Sequence, residues 1–321
     1  MRILIAAALL AAQTATGAVQ SADIHGTWSA EIHGGKVFLQ TRTEAPPDRN
    51  RNGNWSGDWS MGNSLPIEEV SGLANDEHLT VGSLRFELRR EAGTLAFEGM
   101  FRDGRGAGLF TFAPRAEFAS EMKRLGYADE IPLWRRYQMA VQDVGPRYIT
   151  ALKSEGFDKL TLDEITRARN HGVTLEYIKA MKAEGYKAAT IEDLVRTRDH
   201  GVTPQYIQEM RRAGFASATI EDLVRAKDHG VTAAYVTELR SHGYSGLPLA
   251  DVVRARDHGV TADYLADMKA IVKDATLAQV IRMRDHGVTP GFVSHARARG
   301  FTTTDPEELV RLKDRGLRDE R

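Results

Sequence analysis

The chain has 321 residues, of which 42% are apolar and 27% are charged, and its formal net charge is −1. This length is sufficient for two domains, and the near-zero charge favours neither nucleic acid nor an acidic membrane surface as a partner. The absence of cysteine from the sequence excludes disulfides, thiolate catalysis, cysteine metal ligands and a lipoprotein anchor.

Residues 1–22 have the composition of a secretory signal peptide. Arg2 supplies a positive charge, Ile3 to Ala12 form an apolar run, and small residues suited to cleavage follow. The apolar run is too short to cross a bilayer, and no later stretch of the sequence is apolar for long enough. The alternative is an uncleaved anchor or a chance apolar start. We predict an exported protein, periplasmic or secreted, without a membrane span after signal cleavage.

Residues 23–114 show the alternation of apolar and polar residues that is typical of β-strands. Short turns join such segments into three predicted hairpins, 27–32 with 36–41, 84–88 with 94–98, and 97–101 with 109–112. The stretch 42–53 is rich in Pro and Asn and is a predicted loop. We expect an antiparallel domain of about five to seven strands, either a sandwich or a partly closed barrel.

The tryptophans of this domain have two interpretations. Trp28, Trp55 and Trp59 either fill the core of a small sheet or line a face that binds a glycan or a small apolar ligand. Trp55 and Trp59 border the polar loop at an even spacing, so they are the better candidates for an exposed ligand-binding pair.

From about residue 115 onward the sequence repeats. A Gly followed by Val or Leu recurs with steps of 29, 29, 29, 28 and 29 residues, at positions 172, 201, 230, 259, 287 and 316. A period of this length indicates a repeat architecture, in which each unit buries its apolar face against its neighbours. Residues 115–321 are therefore predicted to form an α-solenoid of two-helix units. The whole chain is a predicted α+β protein in which the small antiparallel β domain comes first.

One unit illustrates the predicted helices. Thr190 is placed to cap a first helix that ends before Gly201, a residue suited to the left-handed conformation. Thr203 and Pro204 then open a second helix, whose Tyr206 and neighbours at helical spacing face the core. Each helix spans about ten residues and is too short to be stable alone, so packing between units must stabilise it.

Arg, Asp and His recur together near the end of each first helix. We predict that each histidine is a C-cap residue whose imidazole meets the terminal carbonyl groups, and that each aspartate pairs with an arginine. A metal-binding or proton-sensing ladder is disfavoured because equivalent positions of stacked helices lie about 8–10 Å apart. No metal site is therefore predicted, and the ladder is expected to be structural. Its members include Arg196, Asp199, His200, Arg225, Asp228, His229, Arg254, Asp257 and His258.

Two further rows of basic residues run along the repeats. Such rows bind phosphates in other settings. Here the interleaved acids, the near-zero net charge and the predicted export favour solvated helix faces or ion pairs, so no nucleic acid partner is predicted. One row is Arg169, Arg198, Lys227, Arg256, Arg284 and Lys313, and the other is Lys153, Lys182, Arg211, Arg240, Lys269 and Arg297.

The repeat unit also carries a resemblance. The pattern Leu-Val-Arg-x-Arg-Asp-His-Gly-Val-Thr-x-x-Tyr-Ile-x-x-Met-Arg-x-x-Gly-Phe resembles repeats of poorly characterised exported or membrane-tethered bacterial proteins. Some of these look to be joined to membrane metalloproteases of the beta-lactam-sensor type. The resemblance covers roughly residues 116–317 and implies an envelope location and a sensing or regulatory setting. The protease motif is not in this sequence, so the resemblance implies no catalytic role.

Three hypotheses for function follow. An enzyme is the least favoured, because the sequence contains no metalloprotease, serine-hydrolase, P-loop or dinucleotide-binding motif, and no cofactor is predicted. The first hypothesis is a non-enzymatic scaffold for a protein partner in the cell envelope. The second places a glycan or small-ligand site on the β domain, at its tryptophan pair, with the repeats as a spacer. In the first hypothesis the partner binds exposed second-helix positions, namely Gln205, Gln208, Glu209 and Arg212.

Overall fold

The computed structural model describes residues 23–44, 58–128 and 130–317. Within these ranges seven β-strands precede fourteen α-helices, which confirms the predicted α+β class and the helical repeats. The predicted signal peptide lies outside the described residues. The chain divides into two compact units, residues 1–150 and 151–321.

The seven strands form one antiparallel sheet. Their order is β3-β2-β1-β7-β6-β5-β4, so the first and last long strands are neighbours and the chain ends of the domain meet inside the sheet. One sheet, and not a sandwich of two, is therefore present in the described residues. The strands are β1 (Ile24–His33), β2 (Lys36–Glu44), β3 (Asp58–Pro66), β4 (Val70–Ser71), β5 (Val81–Arg90), β6 (Gly93–Arg102) and β7 (Arg105–Pro114).

All three predicted hairpins are present. β1 meets β2 around Gly34-Gly35, and β6 meets β7 around Asp103-Gly104, where Asp103 and Gly104 both adopt positive φ. The turn between β5 and β6 consists of Glu91 and Ala92, one residue earlier than expected, because Arg90 already pairs with Gly93. The alternating pattern thus fixes the register of these strands.

The core of the first unit is aromatic. Trp28 is 3% exposed, and its ring lies 5.0 Å from that of Phe86, 5.5 Å from Phe101 and 6.1 Å from Phe97. The indole Nε1 donates to the carbonyl oxygen of Glu98 at 3.2 Å. Trp28 therefore fills the core of the sheet, which was the first of the two interpretations given for the tryptophans.

Two helices of the first unit follow the sheet, α1 (Phe118–Arg124) and α2 (Leu133–Val141). In α2, Tyr137 stacks on Phe110 at 5.7 Å and donates from its hydroxyl to Thr41 Oγ1 at 2.7 Å. The sequence pattern suggested a domain boundary at residue 114, with α2 as a divergent member of the repeats. Because α2 covers buried residues of the sheet, the compact unit extends to Thr150.

The remaining helices have nine residues each, except for α11 with ten, and the division between the two units falls within α3. Even-numbered members from α4 to α14 are first helices of a repeat, and odd-numbered members from α5 to α13 are second helices. The helices are α3 (Pro146–Ser154), α4 (Leu162–Asn170), α5 (Leu175–Ala183), α6 (Ile191–Asp199), α7 (Pro204–Arg212), α8 (Ile220–Asp228), α9 (Ala233–Ser241), α10 (Leu249–Asp257), α11 (Ala262–Ile271), α12 (Leu277–Asp285), α13 (Pro290–Ala298) and α14 (Pro306–Asp314).

The helix boundaries follow the predicted signals. Thr190 and Asp193 form a capping box at the start of α6, and Thr203 accepts from the backbone of Tyr206 at the start of α7. Gly201 has a φ of 66°, the left-handed conformation that an L side chain rarely adopts. First helices contact the next first helix, and second helices the next second helix, as in a stack of repeats.

Candidate functional site: the exposed faces of the repeats

Each of five first helices ends at a histidine that contacts the next unit. Because the histidine side chain extends beyond the helix end, its Nδ1 lies 2.5–2.7 Å from Oδ1 of the aspartate that ends the next first helix. The histidines are C-cap residues as predicted, but Nδ1 bonds to the neighbouring unit and not to a terminal carbonyl group. The pairs are His171–Asp199, His200–Asp228, His229–Asp257, His258–Asp285 and His286–Asp314.

Three of the recurring arginines pair with glutamates, in place of the predicted aspartates. Arg196 forms an ion pair with Glu221 in the first turn of the next first helix, and this hydrogen bond raises the pKa of Arg196. Asp228 is close enough to act on Arg196 electrostatically, but its hydrogen bond is with His200. Helical side chains lean toward the N-terminus, so these three arginines reach the start of the next first helix, while the aspartates stay near the ends of their own helices.

The sequence pattern did not identify the glutamates of this row, because only the aspartates were considered as partners of the arginines. Glu192, Glu221 and Glu307 each follow the cap by two residues, and this fixed place in the repeat was the available signal. The direct ladder of the first helices therefore consists of two rows, His–Asp and Arg–Glu.

In the first of the two basic rows described above, the side chains stack on aromatic rings. Arg198 lies 5.0 Å from the centre of the Tyr177 ring, Lys227 4.8 Å from that of Tyr206, and later units repeat the contact. These distances are within the range of cation–π attraction. The row is thus engaged in contacts between consecutive units.

The same tyrosines also hydrogen-bond to the next unit. Each hydroxyl donates to the carbonyl oxygen of the valine that follows the turn glycine, at 2.8–3.0 Å. Burial raises the pKa of Tyr206, Tyr235 and Tyr264 to about 12. A buried hydroxyl needs such an acceptor, and the valine carbonyl provides it without another side chain. The pairs are Tyr177–Val202, Tyr206–Val231, Tyr235–Val260 and Tyr264–Val288.

In the second of these basic rows, the side chains donate to carbonyl groups at helix ends. Lys182 donates to the carbonyl oxygen of Glu155 at 2.6 Å and to its carboxylate at 2.7 Å, which lowers the pKa of Glu155. Arg211 contacts Glu184 in the same way, and Arg240 and Lys269 donate to the carbonyl groups that end α7 and α9. Cations are favoured at these negative helix ends. Most of the row is therefore occupied within the repeats.

The predicted partner-binding residues lie together on α7. Gln205, Gln208 and Arg212 are exposed, whereas Glu209 is half-buried. Gln205 donates to Glu209 at 3.0 Å, and Gln208 donates to Glu184 of the preceding unit at 2.6 Å. Two of the four side chains thus support one another, and Gln208 also links units.

The equivalent exposed positions differ in chemistry from unit to unit. They are two charged residues and an alanine in α5, small or polar residues in α9, one acid and two alanines in α11, and small residues in α13. The residues are Glu176, Lys179 and Ala183, then Ala234, Thr237 and Ser241, then Asp263, Ala266 and Ala270, and finally Gly291, Ser294 and Ala298.

On the β domain the structure brings together a different tryptophan pair from the predicted one. Trp59 lies in β3, is half-buried, and meets Trp134 of α2 edge to face at 6.0 Å. Trp55 lies outside the described residues. The indole Nε1 of Trp134 is buried, and the described residues provide no acceptor for it. Trp134 came from a helix that the sequence assigned to the repeats, so its place beside Trp59 was not anticipated.

The described residues contain no group of three or more histidine, cysteine, aspartate or glutamate side chains placed to hold a metal ion. Of the helices in the described ranges, none is both long enough and apolar enough to cross a bilayer.

The chain matches no protein-family model, and no curated protein or solved structure matches it. The resemblance of the repeat unit to exported bacterial proteins therefore stays a prediction. The geometry of the repeats is the main evidence on function.

Proposed function

We propose that the protein is a non-enzymatic, exported scaffold that binds a protein partner through the exposed positions of its second helices. The observation that supports this is that the residues of each unit fall into two classes, those that contact neighbouring units and those that are exposed. Recurring side chains such as His200, Asp228 and Tyr206 contact neighbouring units, whereas the exposed second-helix positions vary. A surface with constant spacing and variable chemistry is typical of repeat proteins that bind other proteins, an argument by analogy of fold.

The proposal of export rests on the signal-like composition of residues 1–22 and agrees with the implied envelope location of the resembling repeats. The partner is then a protein of the cell envelope. We propose no catalytic residue, because the recurring histidines, aspartates and tyrosines have structural partners and the predicted binding residues do not converge on a nucleophile or base.

Site-specific crosslinking in the exporting cells tests this proposal. A photoreactive residue is placed at Gln205 or Arg212 of the full chain, with Lys159 in an exposed loop as the matched control position. We expect one discrete envelope protein to be crosslinked from α7 and not from Lys159. Gln208→Arg with Arg212→Glu should abolish that product. Equal crosslinking from all positions, or a product only at Lys159, would contradict the scaffold.

A second candidate function is glycan or small-ligand binding on the β domain. The buried, unpaired indole N–H of Trp134 beside the half-buried Trp59 favours it, because a ligand hydroxyl would complete this hydrogen bond. Titration of intrinsic fluorescence with chitotriose and maltohexaose tests it. Saturable quenching that Trp59→Phe abolishes supports the site, and unchanged fluorescence with both sugars argues against it.

A further inference from the structure

The Arg–Glu row of the first helices is interrupted in the middle of the repeats. Where the row is complete, an arginine on one first helix holds a glutamate in the first turn of the next. Arg167 and Glu192 are 2.9 Å apart, and Arg282 and Glu307 are 3.2 Å apart. The Arg196–Glu221 pair has the same arrangement.

Two consecutive units lack the glutamate. Ala250 in α10 and Ala278 in α12 occupy its place, opposite Arg225 and Arg254. All four residues are exposed. Within the described residues neither of these two guanidinium groups forms a hydrogen bond or an ion pair. The interruption therefore leaves two neighbouring arginines in contact with solvent, and the small alanines leave room beside each of them.

Of the carboxylates on the same face, Asp251 lies three positions before Arg254 and forms no ion pair with it within the described residues, and the others already have partners. Asp222 caps α8 by accepting from Thr219, and it acts on Arg225 only through its charge. Asp257 and Asp285 accept from His229 and His258 at 2.5 and 2.7 Å. The positions that the missing glutamates would fill thus remain open to a carboxylate from outside the chain.

We propose that Arg225 and Arg254 bind two carboxylate side chains of an acidic peptide segment in a partner protein. The charge complementarity is the one that the chain itself uses at the other three arginines. A guanidinium offers a planar fork that matches a carboxylate, and isolated exposed ion pairs are weak, so one peptide must engage both arginines.

The spacing favours a polyproline II segment. Neighbouring helices of a stack lie about 8–10 Å apart, and a polyproline II peptide advances about 3.1 Å per residue with three residues per turn. Two glutamates separated by two residues then lie on the same side of the peptide about 9 Å apart, which matches one repeat. This site is on the first helices and does not depend on the second-helix surface proposed above, so either can fail alone.

Fluorescence anisotropy of a labelled Glu-Ser-Gly-Glu peptide with the full chain tests the site. We expect saturable binding that weakens as salt rises, at least tenfold weaker binding with Arg225→Ala/Arg254→Ala, and no binding of the Gln-Ser-Gly-Gln control peptide. Arg196→Ala is the matched control, because Glu221 already occupies Arg196, and it should leave the affinity unchanged.

A second variant separates binding from folding. Ala250→Glu/Ala278→Glu completes the row with internal glutamates, so the fold should be retained while the peptide loses at least tenfold in affinity. Unchanged affinity in this variant, equal binding of the glutamine peptide, or no binding at millimolar peptide would overturn the proposal. Binding of phosphatidylglycerol vesicles through the same arginines, without peptide binding, would also overturn it and assign the site to a membrane surface.

Discussion

The two compact units are stabilised by contacts of very different reach along the chain. In the first unit, the hydrogen bond between Trp28 and Glu98 joins residues 70 positions apart, and that between Tyr137 and Thr41 joins residues 96 apart. In the repeats, the His–Asp pairs join residues 27 or 28 apart and the Tyr–Val bonds 24 or 25 apart. The first unit therefore depends on one shared core, whereas the second multiplies one interface.

High pH should affect the repeats most, because the same buried tyrosine recurs there. The folded-state pKa of Tyr206, Tyr235 and Tyr264 is about 12, above the ordinary value of 10.0, so folding favours the protonated hydroxyl. Their contribution is complete below pH 10 and is lost as the pH rises toward 12. Circular dichroism of the helices should show this loss between pH 10 and 12. The lost free energy of unfolding is several kcal/mol for the three tyrosines together, at about 1.4 kcal/mol per pKa unit per residue.

The triple variant Tyr206→Phe/Tyr235→Phe/Tyr264→Phe is the control for this prediction. Phenylalanine fits the site, since Phe292 occupies the equivalent position in α13 with 0% exposure. The variant should be less stable at neutral pH but should lack the tyrosine-dependent loss. Loss of helix at the same pH in both proteins would show that other groups cause it.

A core change in the first unit should act on the whole sheet. Phe97→Ala removes a ring that is 2% exposed and stacked on Phe86 at 4.7 Å, and should cost about 3–5 kcal/mol of unfolding free energy. Hydrogen exchange should accelerate in all the long strands together. Leu109→Ala, at a side chain that is 66% exposed, should change stability by less than about 0.5 kcal/mol. Faster exchange confined to β6 would mean that the core is not shared.

A helix cap in the repeats should have a smaller and more local effect. Thr203→Ala removes the side-chain acceptor for the backbone N–H of Tyr206, 3.1 Å away, and should cost about 1 kcal/mol. Hydrogen exchange should rise at the start of α7. Thr203→Ser keeps the acceptor and should restore protection, and failure to do so would assign the effect to the methyl group.

The exposed His–Asp row should contribute least per contact. His200 and Asp228 have side chains that are 38% and 42% exposed, so Asp228→Asn should cost less than about 1 kcal/mol in urea unfolding. Combining it with His200→Gln should add little to the single change, because the pair is already broken. A fully additive double variant would show that the two residues act on stability separately.

The different reach of the contacts in the two units also decides what could be predicted from the sequence. Repetition revealed the units, and local signals such as Thr203 and Gly201 located helix ends, because capping depends on residues a few positions apart. To predict which side chains pair between units, one would have to know how the helices stack and in which direction each side chain points. The aspartates were therefore paired with arginine, and Glu221 was missed. Trp134 beside Trp59 depended on contacts that no local pattern encodes.

The interface between units has a consequence for how such a chain can change. Each contact runs from a position in one unit to a fixed position in the next, as from Tyr206 to Val231 and from Tyr235 to Val260. Deletion or duplication of one whole period, such as residues 191–219, would bring the same donors and acceptors back into register. The number of units is therefore free to vary by recombination, and the unit between Gly259 and Gly287, which is one residue shorter, keeps the His258–Asp285 and Tyr264–Val288 contacts.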